Sequence, residues 1–226
     1  MARSTIDSIQ SRVAGFVDQD ENTSNIDSTD YSLRLSYINR SMMKWAEIQD
    51  WQVLFKEYNM LVSTSTGNAS VILPVDFRKL AGFPKITFDA TNTTEYPEVL
   101  PQEDGYEASE KRVWILGDPS DRYILRVFGA TLASGASVKV PYFASPVSLA
   151  SPADIPEIPN TEYLVQDCIA QIWESREDNR FPQAKAEAEK ILQNMMTFEN
   201  SPNNASDYWR AKTVDETKYG FRWGDR

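Results

Sequence analysis

Residues 160–200 read NTEYLVQDCIAQIWESREDNRFPQAKAEAEKILQNMMTFEN. In the first half Leu164, Val165, Cys168, Ile169, Ile172 and Trp173 recur at steps of three and four, which places them on one face of a helix. That face must be buried. Asn160, directly after Pro159, is the expected N-cap, its side-chain oxygen accepting from an otherwise unpaired backbone N–H. The charged run from Glu174 to Arg180 breaks the stripe, and Pro182 suits the first turn of a second helix, where a missing N–H costs nothing. Ala184, Ala188, Ile191, Leu192, Met195 and Met196 then restore the apolar spacing. Two helices joined by a tight turn cannot bury both stripes alone, so the rest of the chain must supply further helices.

Upstream, Asp27 to Trp51 carries the strongest helical pattern. Tyr31, Leu35, Ile38, Met42, Trp45 and Ile48 or Gln49 form its stripe, Arg34, Arg40, Lys44 and Glu47 fall on other faces, and Asp27 or Ser28 can cap it. Ser4 to Val17 is a shorter amphipathic helix built on Ile6, Ile9, Val13 and Phe16. After Trp51 the period changes. Val53 to Thr64 and Ala69 to Leu73 predict a hairpin with Thr66-Gly67-Asn68 at its tip, and Leu73-Pro74-Val75-Asp76-Phe77 predicts a strand entering a short helix through Leu80. Lys85 to Asp89, Arg112 to Leu116, Arg122 to Phe128 and Ser137 to Phe143 complete a small antiparallel sandwich or curved sheet. Pro146, Pro152, Pro156 and Pro159 then mark a stiff connection. The fold class is therefore α+β: a bundle of about four helices from 1–51 and 160–200, an antiparallel β domain inserted at 52–145, a Pro-rich linker at 146–159 and an extended C-terminal arm at 201–226.

Composition narrows the function. The chain has 226 residues, 41% of them hydrophobic, enough for a core. No charged-then-apolar leader precedes it and no apolar run approaches the ~20 residues of a membrane span, so a soluble protein is expected. Cys168 is the only cysteine, which excludes a disulfide framework and suits a small buried hydrophobe. The formal charge of −10 argues against gripping nucleic acid through its phosphates, yet is compatible with an acidic conduit along which DNA slides. Histidine is absent, which removes the commonest general base and metal ligand together. There is no phosphate-binding Gly-rich loop and no nucleophile elbow, and Gly129 to Gly135 reads as a turn. Glu174, Glu177 and Asp178 lie at a helix end as a solvated acidic face. The expectation is a protein without catalysis, cofactor or metal.

The last segment differs from the body. Between Ser201 and Arg226 five basic and four acidic residues give +1, leaving −11 elsewhere. Tyr208, Trp209, Arg210, Tyr219, Phe221, Arg222 and Trp223 mix aromatic and guanidinium groups, the types that dominate interface hot spots. Solvated disordered tails are depleted in aromatics. The arm therefore folds back on its own subunit or docks on another, and its composition favours the second.

Taken in order, the chain resembles the head-to-tail connector adaptors of tailed bacteriophages, the class that includes the podoviral tail tubular protein A. The likeness rests on Ile38-Asn39-Arg40 running to Trp45 and Trp51, on Leu73-Pro74-Val75-Asp76-Phe77-x-x-Leu80, on Pro156-Glu157-Ile158-Pro159 before Glu162-Tyr163-Leu164, and on the closing helical pair and aromatic tail. It implies a homo-oligomeric ring, a dodecamer in such families, beneath the portal protein in the virion. Helices would flank a central channel, the β domain would face outward or toward a downstream tail or nozzle protein, and the arm would reach the portal. DNA would pass without specific binding, and no membrane is involved. A competing expectation is a monomeric cytoplasmic binding module whose β domain takes a ligand.

Overall fold

A computed structural model of the chain describes residues 4–19, 22, 26–61, 69–82, 84–87, 93–96, 98, 112–117, 122–128 and 136–200. Those residues fall into two compact units, one drawn from Met1–Val53 with Pro146–Arg226 and the other from Leu54–Ser145. The class is α+β: the described residues form four α-helices and antiparallel sheets.

In the helical unit α1 is Ile6–Val17, α2 Ser28–Ile48, α3 Glu162–Ser175 and α4 Phe181–Glu199. Helix α3 is the hub. It is buried on nearly every side, from Tyr163, Leu164 and Val165 through Asp167, Cys168, Ile169 and Ala170 to Ile172, because α1, α2 and α4 all pack on it. Helix α4 buries only Ala184, Ala188, Leu192 and Met195, a single narrow stripe whose two alanines permit close approach to α3. Thr5 caps α1 through the Ser8 N–H, and Asp27 caps α2 through the Thr29 N–H at 2.7 Å. The start of α3 departs from expectation by one residue. Thr161 holds the cap position without a side-chain bond, while the Asn160 side chain accepts from the Glu162 N–H at 3.0 Å.

The turn from α3 to α4 closes by paired backbone bonds. Glu177 adopts a left-handed conformation (φ 55°), so its N–H reaches the Glu174 carbonyl and the Asp178 N–H reaches Trp173. Asp178 then accepts from the Arg180 N–H and guanidinium, which hold its carboxyl down at about 2.

Burial in the helices departs from the sequence expectation at three further residues. Phe16 is 52% exposed although it lies at helical spacing with Val13. Arg34 is buried rather than facing solvent, its guanidinium donating to Asp18 at the end of α1. Trp173 is only half-buried, its indole covered by the Arg180 guanidinium 4.4 Å from the ring centre.

The proline-rich segment belongs to this unit. Carbonyls of Pro152 and Asp154 accept the first N–H groups of α1, at 3.0 and 2.9 Å, partners that a helix start otherwise lacks. Asn39 of α2 holds the Leu149 peptide from both sides, its amide donating to the carbonyl at 2.9 Å and its oxygen accepting the N–H at 2.8 Å. Leu149 and Ile158 are buried.

Arg12 of α1 also donates to Glu162 at the start of α3, whose other oxygen accepts from Gln166. Burial raises the Glu162 pKa, but Arg12 and Gln166 outweigh it, leaving the carboxyl below its ordinary 4.5. A depressed folded pKa gives stability that is present above the ordinary value and lost as pH falls through the folded one. Denaturant midpoints measured from about pH 6 down to about pH 3 should therefore fall, and Arg12→Gln should flatten part of that slope. An unchanged slope in the variant would show that the pair contributes nothing to acid sensitivity.

In the β unit the strands are β1 Phe55–Leu61, β2 Ala69–Ile72, β3 Phe77–Leu80, β4 Lys85–Thr87, β5 Thr93–Glu95, β6 Arg112–Leu116, β7 Ile124–Phe128 and β8 Ser137–Ala144. One sheet runs β1-β8-β4-β5 with β3 also on β8; the second runs β2-β7-β6, and these strands all pair antiparallel. Strand β8 is central. Val138, Val140, Tyr142 and Ala144 alternate inward and meet Val71, Leu125, Val127 and Val113 of the other sheet in one core. Strand β1 lines one edge of β8, while β3 and β4 follow each other along the opposite edge. The Pro141 carbonyl accepts from Ala81 between β3 and β4, so the missing proline N–H falls in that gap, where no ladder partner is needed.

Two expectations are corrected here. Strands β1 and β2 are not a hairpin, because β1 pairs β8 and β2 pairs β7 in the other sheet; the Thr66-Gly67-Asn68 tip lies outside the described residues. No helix follows Pro74. The Phe77 N–H returns to the Pro74 carbonyl at 3.0 Å, leaving Val75 83% exposed, and β3 begins at once.

Gly117 ends β6 at φ +102°, where a Cβ would sit 2.2 Å from the Arg122 carbonyl oxygen. Gly117→Ala should lower stability by about 2 kcal/mol or more, read as a shifted denaturant midpoint. A neutral result would mean that the backbone at Gly117 relaxes.

Candidate functional site

The seven arm residues singled out by sequence, Tyr208, Trp209, Arg210, Tyr219, Phe221, Arg222 and Trp223, lie outside the described residues. Within them, the candidate is a polar cleft of about 250 Å³ on the helical unit. Helix α2 contributes Arg40 and Lys44, α3 contributes Asp167, Gln171 and Glu174, and α4 adds Phe181 and Lys185.

Its floor is Asp167, 6% exposed. One carboxylate oxygen accepts from the Ser41 hydroxyl at 2.6 Å and the Gln171 amide at 2.9 Å; the other meets the Lys44 ammonium at 3.1 Å. A carboxylate can only accept, so the Gln171 NH₂ must face it and the Ser41 hydroxyl. Gln171 also donates to Ser41 Oγ at 2.9 Å, and Ser41 belongs to α2. The buried charge is thus neutralised and hydrogen-bonded in place, the condition on which such a group is tolerated.

The rim is less satisfied. Among the described residues Arg40 has no hydrogen bond or ion pair, and the Lys185 ammonium rests 5.4 Å from the Phe181 ring centre with no carboxylate in ion-pair range.

Other titratable groups are held neutral by packing. Burial pushes the Cys168 thiol up to about 12 while its S–H points at the Arg34 carbonyl. Tyr163 is raised well above an ordinary phenol by burial, then by Asp167 and Glu189. In the β unit Tyr142 is raised to about 12 by burial and by Asp76, which accepts its hydroxyl at 3.1 Å and the Lys56 ammonium at 2.9 Å. Among the described residues no three His, Cys, Asp or Glu side chains converge as metal ligands. No helix there is long and apolar enough to cross a membrane.

Neither protein-family models nor curated proteins match the chain.

Sequence reasoning missed the cleft. Asp167 and Gln171 are one turn apart, as are Ser41 and Lys44, and one member of each pair, Asp167 and Ser41, interrupts a buried face. That interruption was the available signal; which pair meets which is decided only by packing.

Proposed function

We propose that this chain is a structural adaptor of a tailed bacteriophage, one subunit of a homo-oligomeric ring that joins the portal protein to the downstream tail and lines part of the DNA conduit. The observation that carries the reading is the order of elements: a β unit inserted between α2 and α3, with the helical unit closed by segments from both ends. The stretches behind the resemblance also have structural work in that frame. Asn39 clamps the returning Leu149 peptide, and Phe77 closes the turn after Pro74 into the sandwich core. The net charge of −10 suits a passage that does not retain DNA. In this reading the ring is made in the host cytoplasm, carries no catalytic centre, and docks on the portal through the arm.

The test mixes the full chain with the portal ring encoded in the same genome and seeks an added layer by electron microscopy. A layer with the full chain, lost on deleting residues 203–226 while circular dichroism and melting are unchanged, is the expected result. No layer, with a monodisperse monomer, would favour a binding module instead.

A further inference from the structure

We propose that the cleft between α2, α3 and α4 is a binding site for an acidic side chain presented by another polypeptide. The inference stands apart from the assembly reading, because it rests on the charge, size and lining of this cleft.

The cleft brings three cations together on a chain whose net charge is −10. Lys44 is committed to Asp167, and the remaining oxygen of Asp167 is filled by Ser41 and Gln171. Arg40 and Lys185 are left with one rim carboxylate, Glu174, which has no ion pair among the described residues. A guanidinium offers a planar fork of donors that matches a carboxylate, and an ammonium adds a point charge beside it. The Phe181 ring supplies an apolar wall against which the methylenes of a glutamate stem can lie.

Size and charge select among anions. Drug-sized ligands and cofactors occupy roughly 300–1,000 Å³, and this cleft holds about 250 Å³, so one side chain fits better than a nucleotide. Polyphosphate backbones are held by arrays of cations along a groove. Two cations without an ion pair among the described residues do not make such an array, whereas they suffice for one carboxylate.

The test titrates the full chain with an acetylated, amidated triglutamate peptide and follows the Phe181 ring and Gln171 amide signals by nuclear magnetic resonance. Saturable shifts are expected, with Arg40→Gln and Lys185→Gln each weakening binding about tenfold, the scale of one lost charge-assisted contact. Both residues are exposed, so the fold should survive. Lys190→Gln on the same helix, whose ammonium lies 3.6 Å from Glu187, should leave binding unchanged. Three results overturn the proposal: no saturable shift, equal binding by the cleft variants, or succinate, inorganic phosphate or oligothymidylate binding as tightly as the peptide, which would mean a general anion site only.

Discussion

Trp51→Ala is expected to destabilise the helical unit by about 4 kcal/mol, lowering its melting temperature by roughly 20 °C. Trp51 is 1% exposed and stacks on Trp45 with ring centres 5.0 Å apart. Its second role is a cap. Gln49 turns extended (φ −150°, ψ 164°), ending α2, and the Trp51 indole N–H donates to the Trp45 carbonyl at 2.7 Å. The last carbonyls of a helix lack intrahelical partners, so the substitution would remove ring packing and a hydrogen bond together. Trp51→Phe keeps a ring and should lose only about 1–2 kcal/mol. Calorimetry separates the cases: an alanine variant melting within a few degrees of the parent would refute both roles.

The second large effect is expected at Phe77, where alanine should cost about 3 kcal/mol. Phe77 is 5% exposed, stacks on Tyr142 at 5.8 Å and meets Tyr123 edge-on at 5.4 Å. Those tyrosines come from β8 and from the entry to β7, so the ring joins both sheets. Asp76, the neighbouring turn residue, holds the turn independently through Lys56 and Tyr142, so local geometry should persist while the core loses area. Each unit has its own core, and Phe77→Ala is expected to lower one thermal transition while Trp51→Ala lowers another. One shared transition shifted by both would show that the units unfold as a single cooperative body.

The helices were legible because their signal is local. Steps of three and four at Ile38, Met42 and Trp45, or at Leu164, Cys168 and Ile172, need no knowledge of the partner. Strand pairing was not, since alternation says which face is buried and nothing about the neighbour. Thr66-Gly67-Asn68 is a hairpin signal by composition, yet β1 finds β8 at the far end of the insertion. Arg34 shows the same limit within a helix: its charge predicts exposure, and only the meeting of α1 and α2 supplies Asp18. The cleft divided similarly, its polar pairs being visible one helix at a time.

Because α3 is the helix on which α1, α2 and α4 pack, the order of synthesis separates the two cores in time. Helices α1 and α2 leave the ribosome before α3, the helix on which both pack, and the whole β insertion must follow before Glu162 appears. At typical elongation rates that interval is on the order of ten seconds. The β unit, complete at Ser145, is then the first body able to close, and the flanking helices remain an unfinished, chaperone-visible surface until their hub arrives.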